Sequence, residues 1–115
     1  MQQLRKGRRS IPGTYYFLTT TTLDRRPILS NSEVAQVIFE TFDWLEAKGR
    51  AEWICIMVMP DHLHAVLQLG RNQTLPKVMH SLKTFTARQI NKLLGLHGSL
   101  WHEGYYDHGI RVTNP

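Results

Sequence analysis

Apolar and polar positions change period several times along this chain, and each change predicts an element. The run Tyr15-Tyr16-Phe17-Leu18-Thr19-Thr20-Thr21-Thr22 is aromatic and β-branched, and Asp24-Arg25-Arg26-Pro27 breaks it, which predicts a first strand. Beyond it, Val34, Val37, Ile38, Phe42 and Leu45 recur at the three-and-four spacing of one helix face. Ser30 with Glu33 three residues later has the form of a capping box, and Lys48 followed by Gly49 has the form of a helix stop. Residues 51–59 are apolar apart from Glu52, and Met59-Pro60-Asp61-His62 places proline at the second position of a tight turn. Two strands should therefore meet there as a hairpin. In the second of them Leu63, Ala65, Leu67 and Leu69 share one face, and His62, His64, Val66 and Gln68 share the other.

Thr74 is placed to cap a second helix with Pro76 in its first turn. Its buried stripe is expected on or near Leu75, Val78, Met79, Leu82, Phe85, Gln89, Ile90 and Leu93, with Gly95 and Gly98 ending it. After a loop holding Trp101, residues 105–112 read as a last strand, weakened by Asp107, His108 and Gly109. The order β-α-β-β-α-β predicts an α+β, ferredoxin-like fold: a four-stranded antiparallel sheet with both helices on one face, because each helix has one apolar stripe to bury.

Composition narrows the class. With 115 residues, 42% hydrophobic and 20% charged, one globular domain over residues 13–115 is expected, behind a basic arm at residues 1–12. Fourteen Lys and Arg against nine Asp and Glu give a net charge of +5 and a pI near 9.7, which favours a polyanionic partner. No stretch is long and apolar enough to span a membrane and the start lacks a signal-peptide core, so a soluble, cytoplasmic protein is expected. The single cysteine, Cys55, sits in an apolar run and is expected to be a buried structural thiol.

His62-Leu63-His64 is the most informative feature, since a strand's period of two projects both imidazoles from one face. On spacing alone they read first as two surface histidines; as ligands they would be half of a metal site. The surrounding Val58-Met59-Pro60-Asp61-His62-Leu63-His64-Ala65-Val66 resembles the HUH motif of single-tyrosine transposases, most closely those associated with repetitive extragenic palindromes. Tyr16-Phe17-Leu18-Thr19 resembles that family's first strand and Ser81-Leu82-Lys83-Thr84-Phe85-Thr86-Ala87-Arg88 its second helix. Trp101 with Tyr105-Tyr106-Asp107-His108-Gly109-Ile110-Arg111 resembles its last strand. The resemblance implies DNA transposition by metal-dependent nicking and strand transfer through a 5′-phosphotyrosine, with His62 and His64 holding Mg2+ or Mn2+, although imidazoles also suit zinc or nickel.

In that family the nucleophilic tyrosine lies on a helix following the last strand. The resemblance thus implies a nucleophile beyond Pro115, a chain truncated relative to the family, and little activity from these residues alone. Tyr105 and Tyr106 are expected to pack, and His108 to be a hydrogen-bonded structural histidine.

Lys77, Ser81, Thr84, Arg88 and either Asn91 or Lys92 form a polar, basic stripe along the second helix. The stripe is a solvated face in isolation and a phosphate-contacting one given the charge. Arg88 is expected to contact DNA, as are Arg5, Lys6, Arg8 and Arg9 of the arm; the resemblance adds Lys83, near the metal face, and Arg111. The implied partner is single-stranded DNA with hairpin, palindromic elements. Whether two chains share one site as a homodimer stays open. The competing reading is a non-catalytic module that binds single-stranded nucleic acid.

Overall fold

The computed structural model describes residues 14–110; Arg5, Lys6, Arg8, Arg9 and Arg111 lie outside them. Strands β1 (Tyr15–Thr21), β2 (Ala51–Met59), β3 (His62–Leu69) and β4 (Tyr106–Ile110) and helices α1 (Ser32–Ala47) and α2 (Leu75–Leu94) follow in the order β1-α1-β2-β3-α2-β4. Across the sheet the order is β2-β3-β1-β4, with every neighbouring pair antiparallel. This is the expected ferredoxin-like arrangement: each helix carries the chain over a central strand, so the two crossovers interleave and leave β1 and β3 in the middle.

Alternation then decides the two faces. Tyr16, Leu18 and Thr20 from β1 and Leu63, Ala65, Leu67 and Leu69 from β3 are buried against Val34, Ile38, Phe42 and Leu45 of α1 and Val78, Met79, Leu82 and Ile90 of α2. Fully burying each such large side chain contributes roughly 1.5–3 kcal/mol. The opposite face carries Phe17, Thr19, Thr21, His62, His64 and Val66, all half-buried, and neither helix covers it.

Several expectations need correcting. The N-cap of α1 is Asn31, whose carbonyl oxygen Oδ1 accepts from the backbone N–H of Glu33 and Val34, while Ser30 sits in a short 3₁₀ turn and donates its hydroxyl to the Pro27 carbonyl. Proline tightens the chain there, so the helix opens one residue later. Thr74 does cap α2, accepting from the Lys77 N–H, and Gly95 closes it at φ 69. The buried stripe of α2 is narrower than expected: Phe85 and Leu93 are exposed, and Thr86 turns inward instead. Thr86 is tolerated at the core because its hydroxyl donates to the Leu82 carbonyl and accepts from Trp101 Nε1.

Cys55 is exposed, not buried. The register of β2 against β3 slips between Trp53 and Cys55, a bulge that inserts one residue into the alternation. Trp53, Ile56 and Val58 therefore pack on the core, while Ile54, Cys55, Met57 and Met59 face out.

Candidate metal and DNA-binding site

His62 and His64 project from β3 onto the uncovered face of the sheet, as the period-two pattern requires. Their rings stand 4.8 Å apart, edge to face. His62 Nδ1 is 2.7 Å from Asp61 Oδ1. An ionised carboxylate only accepts, so Nδ1 carries a proton and Nε2 is the ring nitrogen left to act as a donor to a metal. Asp61 is held in turn by Arg25, whose Nε donates to Oδ2 at 2.8 Å. The hydrogen bonds from His62 and from Arg25 keep the Asp61 carboxyl below its ordinary range, so it stays an anion.

His64 is oriented from the neighbouring strand. Its Nδ1 lies 2.8 Å from Thr19 Oγ1, its direct partner in the β1–β3 register, and its ring stacks on Phe17 at 5.5 Å. Burial, then the adjacent His62, holds its pKa below the ordinary value. A neutral imidazole with Nδ1 engaged is the form that ligates a metal through Nε2. Neither Nε2 has a hydrogen-bond partner among the described residues. The donor chemistry therefore fits a cation, although among those residues no third His, Cys, Asp or Glu joins the pair. As a metal site the pair would supply two ligands.

The loop before β4 borders this face. Trp101 bridges Thr22, the His102 N–H donates to the Thr21 carbonyl, and Arg26 Nη2 donates to the Ser99 carbonyl. Lys83 lies in the helical layer, and its Nζ donates to the carbonyls of His102 at 2.8 Å and Gly104 at 2.6 Å. Its ammonium thus tethers that loop. Arg88 is exposed on α2, which packs on the other side of the sheet. The structure therefore brings His62 and His64 together, while Lys83 engages the loop before β4 and Arg88 stands exposed on the helical layer. His108 stands opposite Phe17 on β4, with Nδ1 enclosed and without a hydrogen-bond partner among the described residues, contrary to the expected hydrogen-bonded role.

Thr19 and Arg25 are candidate-site positions that sequence reasoning missed. Thr19 lies 45 residues from His64, and only the strand order pairs them. Arg25 and Asp24 both adopt left-handed backbone, at φ 54 and 57, which costs on the order of 1 kcal/mol or more per residue and is found where the surroundings enforce it.

Among the described residues no helix is long and apolar enough to cross a membrane. The solved structure of a REP-associated tyrosine transposase bound to a REP hairpin superposes with a TM-score of 0.75 at 22% identity, covering 98% of this chain and 64% of that one. That likeness is one of fold, and the chain spans just under two thirds of this neighbour's length. The ISDra2 transposase TnpA of Deinococcus radiodurans is 30% identical over 111 residues, taking in 90% of this chain and 77% of that protein. Residues 10–111 match the family described as "Transposase IS200 like". The matched stretch runs from before β1 to the end of β4 and contains the whole histidine hairpin: the chain belongs to the IS200-like transposase family.

Proposed function

We propose that this chain acts in DNA transposition, binding single-stranded DNA with hairpin elements and presenting its scissile phosphate to the His62–His64 face. The observation that carries the reading is that Asp61 and Thr19 each engage one histidine Nδ1, which leaves both Nε2 atoms on an uncovered sheet face. A divalent cation held there, Mg2+ or Mn2+, supplies Lewis-acid polarisation of the phosphate and offsets charge developing on its oxygens.

The protein's own residues do the rest. The Arg25–Asp61–His62 chain fixes one ring, and Thr19 with Phe17 fixes the other, so the ligands need little reorganisation when loaded. Arg88, the arm residues Arg5, Lys6, Arg8 and Arg9, and Arg111 contact backbone phosphates, while Lys83 acts indirectly by fixing the loop before β4. The reaction class is strand transfer: a tyrosine oxygen bonds to phosphorus as the bond to the 3′ oxygen breaks, and that oxygen takes up a proton. None of Tyr15, Tyr16, Tyr105 and Tyr106 is assigned as this nucleophile.

The test is calorimetry with Mn2+ combined with hairpin-DNA titration. Wild type should bind both; the double variant His62→Ala, His64→Ala should lose Mn2+ while keeping DNA binding that weakens steeply with salt. Equal Mn2+ affinity in both proteins would remove the metal from the reading. A covalent protein–DNA adduct on a denaturing gel separates strand transfer from a binding module without catalysis, a second reading that the basic charge and the bare aromatic sheet face also fit.

A further inference from the structure

A hollow of about 300 Å³ opens beside the histidine pair, walled by Thr19 and Thr21 of β1, by Glu103 and Gly104 of the tethered loop, and by Tyr106 of β4. Thr19 belongs to both places: one strand partner is His64 and the other is Tyr106. His64, Thr19 and Tyr106 therefore form one cross-strand row on the uncovered face. The row spans two strand spacings, about 10 Å, a distance that a single unstacked nucleotide bridges with its phosphate at one end and its base at the other.

The chemistry of the two ends differs. At the His62–His64 end the groups suit an anion once a cation is present. At the far end Glu103 is exposed at the rim, and its carboxylate repels phosphate while accepting from an amino group. Tyr106 offers an aromatic face, whereas Tyr105 packs against the core and forms the back wall. Thr21 adds a hydroxyl that both donates and accepts. An aromatic ring with a carboxylate acceptor is the equipment that reads an unstacked base. The wall is also held in place: Lys83 fixes the carbonyls on either side of Glu103, those of His102 and Gly104, and the His102 N–H is bonded to Thr21.

We infer that this hollow is a nucleobase subsite, which takes the base next to the scissile phosphate, stacks it on Tyr106 and prefers a base with an exocyclic amino group over thymine. The inference rests on the proposed function, because that reading places the phosphate at the histidines. Lys83 is a positioning residue here: it holds the wall and does not touch the base.

The experiment uses the whole chain and hairpin-bearing single-stranded DNA in Mg2+, so that the phosphate end of the row can be filled. 2-Aminopurine is placed in turn at each unpaired position, and in a second series each of those bases is removed. One position should show quenched fluorescence on binding, and the abasic oligonucleotide there should bind roughly tenfold more weakly, as expected for loss of one stacked base. Tyr106→Phe should retain the quenching and Tyr106→Leu should lose it. Glu103→Gln should narrow the preference for adenine or cytosine over thymine at that position only. Lys83→Met should weaken that discrimination while leaving affinity for the abasic strand unchanged.

Abasic strands that all bind as tightly as the intact one would overturn the subsite, and so would unchanged discrimination in Glu103→Gln. Because abasic DNA needs no altered protein, a variant that misfolds does not blur the result. Mn2+ binding lost on His62→Ala with His64→Ala, alongside no base preference, rejects the subsite and keeps the proposed function. A base preference with no Mn2+ response keeps the subsite and removes the metal from the proposed function.

Discussion

Thr19→Val isolates the contribution of one hydroxyl to the proposed metal site, which it does not enter. Valine keeps the shape and β-branching that suit a central strand, so β1 retains its pairing with β3 and β4. What is lost is the oxygen 2.8 Å from His64 Nδ1. Removing a group that orients a metal-ligating histidine weakens metal affinity about 10–100-fold, or roughly 1.4–2.7 kcal/mol. The Phe17 ring, stacked 5.5 Å from the imidazole, still restrains His64, which places the expected loss near tenfold. Stability should fall by no more than about 1 kcal/mol, the usual net worth of one hydrogen bond. Calorimetric titration with Mn2+ at neutral pH, run on wild type, Thr19→Val and His64→Ala, reads the effect, and thermal melts confirm the fold. Thr19→Val within twofold of wild type, with His64→Ala losing the metal, would show that the hydroxyl does not orient the ligand.

Three further outcomes follow from the geometry. Thr86→Val leaves the buried Trp101 N–H without its acceptor and should cost about 1–3 kcal/mol, a drop of several degrees in melting temperature, whereas Thr86→Ser should recover most of it. Asn31→Ala should destabilise by about 1 kcal/mol through loss of the α1 cap, and Ser30→Ala should be nearly silent in the same urea titration; the reverse ranking would restore Ser30 as the cap. His64 has a native pKa held below its ordinary 6.5 by burial and by His62, so the folded state binds fewer protons than the unfolded one. Stability should accordingly be full above about pH 6.5 and decline as pH falls through the lowered native value. Urea midpoints at pH 7.5 and 5.5 should show that decline, and His64→Gln should reduce it; an undiminished decline would assign it to another group.

Periodicity made most of the frame legible. The bounds of β2 and β3, the face shared by His62 and His64 and the Thr74 cap all follow from local spacing. Properties that depend on a neighbouring strand did not. The apolar run of 51–59 gives no sign of the bulge that turns Cys55 outward, because a bulge is a mismatch between two strands rather than a property of one. Thr86 looks like a polar break in the α2 stripe until Trp101, fifteen residues on, is seen to need its hydroxyl. Asp61 was within reach, being adjacent to His62 and unable to do more than accept. Thr19 was not, since its role exists only once β1 lies beside β3.

That bulge also gives the molecule a natural attachment point. Cys55 is the only cysteine in the chain, is exposed, and sits across from Val66 in the β2–β3 register, two residues along β3 from His64. A maleimide dye would therefore attach at one known place on the same face as the histidines, on an edge strand whose side chains there point away from the core. Fluorescence from that label would report the arrival of DNA at the face without altering a ligand or the hollow. The same exposure means that purification without a reductant would join chains in pairs through this thiol, and the resulting dimers would say nothing about how the protein assembles.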